Sequence, residues 1–212
     1  MHGSFIVVEG SDASGKHTQA KLLAEKLKSN GFSIKKIAFP RYDKFFGKLV
    51  RRYLVGGFGS IEEISPEIPS MLYALDRYDA AKEIEDALSN GKIVVCDRFT
   101  ASNIAHQAAK FPKEKQQEFI KWVEAVESRL PSPSLTIYLD VPVSFSQKLM
   151  EKQGRKKDLH EKNVSYLQSV RNVYLELAKR KNWFKVDCVK ENKLLSIEEI
   201  HSIVWEKVKQ IL

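Results

Sequence analysis

The run Gly10-Ser11-Asp12-Ala13-Ser14-Gly15-Lys16 carries the residue types that grip a phosphate. Its bounding glycines let the backbone curl so that N–H groups point inward. A helix starting at the lysine adds the positive end of its dipole, and Lys16 adds a full charge. The apolar run Phe5-Ile6-Val7-Val8 ahead of the loop reads as a buried strand, and Gln19–Leu27 behind it has helical period. Strand, loop and helix are the context a phosphate-binding loop needs, so the expected ligand is a nucleoside triphosphate. One position breaks the pattern. A hydroxyl residue that helps hold Mg²⁺ is expected directly after the lysine. Here that residue is His17, and Thr18 follows. His17 is expected to donate to a phosphate oxygen, with Thr18 or water completing the Mg²⁺ shell.

Three further groups can do related chemistry. Asp97-Arg98 closes the apolar run Ile93-Val94-Val95-Cys96. A carboxylate there can hold Mg²⁺, directly or through water, and the arginine fork can clamp a phosphoryl group. The alternative is an Asp that pairs only with Arg98. Gly154-Arg155-Lys156-Lys157-Asp158 is a basic cluster between two helical stretches. It reads either as a solvated face or as a lid that brings cations over a triphosphate and excludes water. Tyr73 and Arg77 are four residues apart in a helical pattern and share a face. They suit a nucleobase and its phosphate, or equally a core tyrosine beside a surface arginine.

The elements that must position these residues alternate. Strands are expected over Phe5–Glu9, Ser33–Phe39, Ile93–Asp97, Leu135–Asp140 and Trp183–Val189. Helical stretches are expected over Lys16–Asn30, Pro69–Leu88, Lys113–Ser128, Val143–Lys152, Asn163–Lys181 and Ile197–Leu212. Strands separated by long helices imply an α/β fold with a parallel sheet covered by helices on both faces. Ligands then gather beyond the carboxyl ends of the strands, where Gly10–Thr18, Phe39-Pro40-Arg41 and Asp97-Arg98 fall. Gly56-Gly57-Phe58-Gly59 is too short to divide domains. One domain over residues 1–212 is expected, with a small mobile lid at about 152–162.

Composition narrows the class. With 43% hydrophobic residues in 212, the chain can fill a sizeable core. A formal net charge of +8 favours anionic partners. The basic residues are interleaved with acids, as in Lys82-Glu83-Ile84-Glu85-Asp86, so a nucleic-acid-binding arm is not expected. Cys96 and Cys188 are distant and lie in or beside apolar runs, which reads as reduced core thiols in a cytoplasmic protein. No signal peptide and no membrane span is expected.

These motifs, in this order, resemble the thymidylate kinases, P-loop nucleoside monophosphate kinases. The carriers are the phosphate loop with Asp12, Phe39-Pro40-Arg41-Tyr42, Leu72-Tyr73-Ala74-Leu75-Asp76-Arg77, the string from Asp97-Arg98-Phe99 through Ser102-Asn103 to His106-Gln107, and the lid from Gln153 to Glu161. The resemblance covers nearly the whole chain and implies a P-loop NTPase-type sheet. It implies transfer of the γ-phosphoryl of Mg²⁺-ATP to dTMP, and a homodimer.

By resemblance, Lys16 and the loop N–H groups of Gly10, Ser11, Ala13, Ser14 and Gly15 hold the ATP phosphates, and Asp12 approaches the acceptor's 3′-hydroxyl. Phe39 and Pro40 pack beside the acceptor, and Arg41 reaches its phosphate. Tyr73 stacks on thymine and Arg77 bonds its edge. Arg98 lies between donor and acceptor phosphates, while Ser102, Asn103, His106 and Gln107 line the acceptor pocket. Some members carry a catalytic arginine inside the loop. Ala13 stands there in this chain, so the transition-state cation is expected from Arg155, with Lys156 and Lys157 in reserve. His106 replaces a tyrosine that many members place near the deoxyribose C2′. The rival readings are a kinase for another nucleoside monophosphate or a deoxynucleoside, and a nucleotide-binding regulator or nucleic-acid-associated ATPase.

Overall fold

The computed structural model describes residues 3–60, 63–152 and 163–212. The basic cluster Gly154–Asp158, and with it Arg155, lies outside the described residues. Five strands form one parallel sheet: β1 (Phe5–Gly10), β2 (Ile34–Ala38), β3 (Ile93–Asp97), β4 (Leu135–Asp140) and β5 (Trp183–Asp187), in the order β2-β3-β1-β4-β5. The helices between them are α1 (Lys16–Ser29), α2 (Phe45–Leu54), α3 (Glu67–Ser89), α4 (Thr100–Ala108), α5 (Lys113–Val126), α6 (Val143–Lys152), α7 (Val164–Leu177) and α8 (Ile197–Lys209).

The central strands β1 and β4 are buried at every residue, which is why they read as continuous apolar runs rather than alternating ones. Successive side chains of β1 enter different cores, as the period of two requires. Ile6 and Val8 pack with Leu23 and Leu27 of α1 and Val204 and Val208 of α8. Phe5 and Val7 face Ala80 and Ile84 of α3, with Phe99. A third cluster joins α4, α5 and α7 through Ala105, Phe119, Val123, Val170 and Tyr174. Each large aliphatic or aromatic side chain buried this way contributes roughly 1.5–3 kcal/mol. The edge strands β2 and β5 are half exposed and carry Lys35, Lys36 and Lys185, charges that discourage edge-to-edge pairing.

The structure departs from the expected elements in three places. Helices α2 and α4 had no expected counterpart. In α4, Ala101, Ile104, Ala105 and Ala108 do recur at helical spacing and are buried, but small alanines carry a weak apolar signal. In α2, Gly47, Val50 and Tyr53 form the buried face. A Cβ on Gly47 would stand 1.9 Å from the Arg41 carbonyl oxygen, so only glycine lets α2 lie against that loop. The expected last strand Trp183–Val189 stops at Asp187. The chain then turns through the hairpin β6 (Val189–Lys190) and β7 (Lys193–Leu194), whose turn residues Glu191 and Asn192 have φ of 49° and 60°, as a tight two-residue turn requires.

Candidate active site

The register places the chemistry at one end of the sheet. Val8 of β1 is level with Asp97 of β3, and Gly10 with Leu139 of β4. The phosphate loop therefore leaves the central strand with a buried strand on each side. Ala13 and Gly15 turn through φ of 58° and 83°. The left-handed conformation is free for Gly15 and costs about 1 kcal/mol for Ala13. Lys16 opens α1, and its side chain turns back over the loop. Nζ donates to the Ser11 carbonyl at 3.1 Å and lies 3.9 Å from Asp12 Oδ1. Burial, with the nearby Arg98 charge second, pushes the Lys16 ammonium down to about 8, against the pull of Asp12, Asp97 and Glu9.

At the end of β3, the exposed His17 ring sets Nδ1 3.0 Å from Asp97 Oδ2. A carboxylate only accepts, so Nδ1 carries the proton. Asp97 Oδ1 is buried with no hydrogen-bond partner. An unpartnered carboxylate oxygen beside a phosphate loop fits Mg²⁺, which prefers hard oxygen donors and keeps most of its water. Thr18, half-buried on α1, is the nearest hydroxyl in sequence. Among the described residues no group of three or more Asp, Glu, His or Cys could hold a metal ion by itself.

Glu9, which the motif reading passed over, organises the next segment. It is fully buried at the end of β1 and accepts from the backbone N–H groups of Phe99 (2.7 Å) and Ser102 (3.2 Å). A carboxylate there satisfies donors that the α4 N-terminus would otherwise leave unpaired and faces the helix dipole favourably. Ser102 Oγ and Tyr174 Oη also donate to it, at 2.6 and 3.0 Å. Arg98 is thereby held at φ 64° between β3 and α4. Its guanidinium pairs with Asp12 and donates to Ser102 Oγ at 3.1 Å. Burial works against that charge, but Asp12, Tyr174, Glu9 and Asp97 together outweigh it and hold the pKa above the ordinary arginine value. The only sequence signal for Glu9 was an acid at the end of an apolar strand.

A cavity of about 190 Å³ opens between these elements. Asp12 and Arg98 line it, Phe39 and Pro40 enter after β2 through a cis peptide, and Tyr73 and Arg77 come from α3. Ser102, Asn103, His106 and Gln107 come from α4. Every acceptor-side residue expected from the sequence lines this one cavity, with the exception of Arg41. Asn103 Oδ1 and Gln107 Oε1 are buried with no partner. Burial raises the Tyr73 phenol well above its usual range, helped by Tyr42 and Tyr53, so its ring is neutral at physiological pH.

The arginines are deployed differently from expectation. Arg41 does not line the cavity. Its Nε donates to Asp76 Oδ1 at 3.0 Å, and Nη2 donates to the Asp76 carbonyl at 2.7 Å and to Asp79 Oδ2 at 2.5 Å. Two carboxylates of α3 already neutralise it. Arg77 lines the cavity but is 1% exposed and bound from behind by Glu127 Oε1, through Nε at 3.0 Å and through Nη2. Burial raises the Glu127 carboxyl above its ordinary value, against the pull of Arg77. Tyr42, Tyr53, Leu54, Phe99 and Tyr166 also line the cavity; Tyr42 and Phe99 stood in the sequence motifs without an assigned role, and the other three were not singled out. Tyr53 and Leu54 lie on α2, whose helix was not foreseen. Tyr166 Oη donates to the His106 carbonyl at 2.9 Å, and Lys110 Nζ donates to Tyr53 Oη at 2.9 Å. Burial pushes Lys110 down to about 8.

A five-stranded parallel sheet, a phosphate loop leaving its central strand, and a base-sized cavity beside that loop define an α/β nucleotide-binding protein of the P-loop class. Residues 8–202 match the family model for thymidylate kinase. A probable thymidylate kinase from Pyrococcus horikoshii is 38% identical, aligned over 100% of this chain and 98% of that protein. The thymidylate kinase of Plasmodium falciparum is 30% identical, over 99% of this chain and 91% of that protein. A solved structure of thymidylate kinase from Candida albicans superimposes with a TM-score of 0.81 at 25% identity, covering 99% of this chain and 92% of that one. The chain belongs to the thymidylate kinase family.

Proposed function

We propose that this enzyme transfers the γ-phosphoryl group of ATP to the phosphate of dTMP, giving ADP and dTDP. The observation that carries the reading is the single cavity in which Tyr73, Arg77, Asn103 and Gln107 meet, with Asp12 shared between it and the phosphate loop. A flat neutral ring, a cation and two unpartnered amide oxygens suit stacking on a pyrimidine and bonding its edge.

In the transfer, an oxygen of the dTMP phosphate forms a bond to the γ-phosphorus as the bond to the β–γ bridging oxygen breaks. Charge stays on phosphoryl oxygens, so the protein's work is alignment, neutralisation and exclusion of water. Lys16 and the N–H groups of residues 10–15 hold the donor phosphates. A triphosphate restores the full charge that burial now disfavours on Lys16. Arg98 lies between the two phosphates, and Asp12 orients it while facing the acceptor sugar. Arg155 is the cation assigned to the transferring group, with Lys156 and Lys157 in reserve. Mg²⁺, held by Asp97 and Thr18 directly or through water, would neutralise the β- and γ-phosphate oxygens. His17, bonded to Asp97, orients that carboxylate.

The protein acts as a homodimer in this reading. Ile68, Met71 and Leu75 recur at helical spacing along α3 and are exposed, an apolar stripe of the kind that marks a protein–protein contact. Sedimentation velocity tests it: Leu75→Glu should shift dimer to monomer. Among the described residues, no helix is long and apolar enough to cross a membrane. ADP release measured across monophosphate acceptors, with and without DNA or RNA, tests the activity. Release that depends on dTMP is expected; release stimulated only by nucleic acid would reject the reading.

A further inference from the structure

Glu127 has no place in the chemistry above, and it is not a wall of the cavity. It follows the last residue of α5. A carboxylate at a helix C-terminus is disfavoured by the helix dipole, and burial adds to that cost. Its Oε1 nevertheless collects three donors from two elements: Arg77 Nε and Nη2 from α3, and Asn103 Nδ2 from α4 at 3.2 Å. Asn103 Nδ2 also donates to the Ser70 carbonyl at 3.2 Å. Two acceptors face that end of the Asn103 amide, so it must be the nitrogen. Asn103 is one of the residues lining the cavity, and its oxygen is buried and unpartnered. The same contact takes up two nitrogens of Arg77 and leaves Nη1.

We propose that Glu127 is the positioning residue that writes the base-reading edge, turning Arg77 Nη1–H and Asn103 Oδ1 together toward the acceptor. This rests on the dTMP reading above. A donor beside an acceptor complements thymine, which presents O4 as acceptor beside N3–H as donor. It opposes cytosine, which presents an N4 amino donor beside an N3 acceptor. Glu127 thus selects the base without touching it.

Two substitutions separate positioning from plain neutralisation of Arg77. Glu127→Asp keeps the charge but withdraws the carboxylate by about 1.5 Å, one carbon–carbon bond, out of reach of Arg77 and Asn103. Glu127→Gln keeps the reach and the accepting oxygen but loses the charge. Steady-state kinetics with dTMP and dCMP at saturating ATP reads the outcome. Glu127→Asp should raise the dTMP KM about tenfold or more and lower the dTMP-to-dCMP ratio of kcat/KM by a similar factor. Its kcat at saturating dTMP and its ATP KM should stay within about threefold of wild type. Glu127→Gln should keep both dTMP KM and base ratio within about threefold. A folded Glu127→Asp enzyme with wild-type KM and ratio overturns the proposal. So does a Glu127→Gln enzyme that loses discrimination, which by itself decides the question if the Asp variant does not fold. A wild-type enzyme inactive on dTMP would instead refute the kinase reading on which the proposal rests.

Discussion

The base cavity and the phosphate loop share Asp12, yet they handle buried charge in opposite ways. Beside the cavity, Arg77 meets Glu127, and Arg41 meets Asp76 and Asp79. In the loop, the nearest partner of the Lys16 ammonium is a carbonyl, and burial with Arg98 brings its pKa to about 8. Groups that choose a ligand must hold one geometry before it arrives, and a buried ion pair locks geometry even when it adds little stability. Groups that stabilise a transferring phosphoryl act best while their charge is incompletely compensated and the substrate completes it. The two regions should therefore fail differently, the loop in kcat and the cavity in the dTMP KM.

The largest effects should come from the phosphate side. Lys16→Met and, separately, Arg155→Ala should each lower kcat by about 10³ or more, the scale of a transition-state cation in this chemistry. The dTMP dissociation constant should stay nearly unchanged in both. The loss at Arg155 will be smaller where Lys156 or Lys157 substitutes. An Arg155→Ala enzyme with wild-type turnover would show that this basic run is a solvated face.

Next comes the cavity. Tyr73→Ala should raise the dTMP KM about ten- to a hundredfold, as loss of a stacking face does, and leave the ATP KM alone. Equal dTMP affinity in mutant and wild type would erase the contrast between the regions and make Tyr73 a core residue.

A smaller effect is expected at His17→Ser, which restores the usual hydroxyl and removes the Nδ1 contact to Asp97. Activity should survive, with the ATP KM and the Mg²⁺ requirement moving by about threefold or less. Titrating Mg²⁺ in both enzymes measures this, and abolished activity would show that Asp97 depends on the imidazole.

The smallest effect concerns stability rather than turnover. Burial holds the folded-state pKa of Lys110 at about 8, below the ordinary lysine value of 10.5. Between those values the unfolded chain binds more protons, so stability should rise with pH across that window, the burial cost being fully present below it. Lys110→Met should flatten this slope and raise the melting temperature near neutral pH by about 2–4 °C, roughly 1 kcal/mol after discounting for partial exposure. Melting curves from neutral to alkaline pH would show it; a slope equal to wild type would exclude Lys110 as its source.

Much of the phosphate side was legible because it is local. A strand, a glycine-bounded turn and a helix carry their own conformational instructions within about twenty residues, and the anion site is made of their backbone N–H groups. Buried central strands likewise announce themselves as apolar runs. The acceptor side was legible only as a set of residue types, through resemblance to a family. The short, alanine-rich α4 that gathers Ser102, Asn103, His106 and Gln107 had too faint a period to be drawn as a helix.

Residue order by itself determined the parallel α/β class and the phosphate loop, while the candidate acceptor residues came through likeness to a family. What each of those residues is bound to was decided by the tertiary structure. Glu9 meets Phe99 across 90 positions, Arg77 meets Glu127 across 50, and Arg41 meets Asp76 across 35. Such pairings depend on which helix ends and strand ends the packed sheet brings within about 3 Å of one another. No local pattern encodes that distance. The sheet had to form before Arg41 could be taken up by α3, Glu9 could hold the start of α4, and Glu127 could stand behind the base-reading pair.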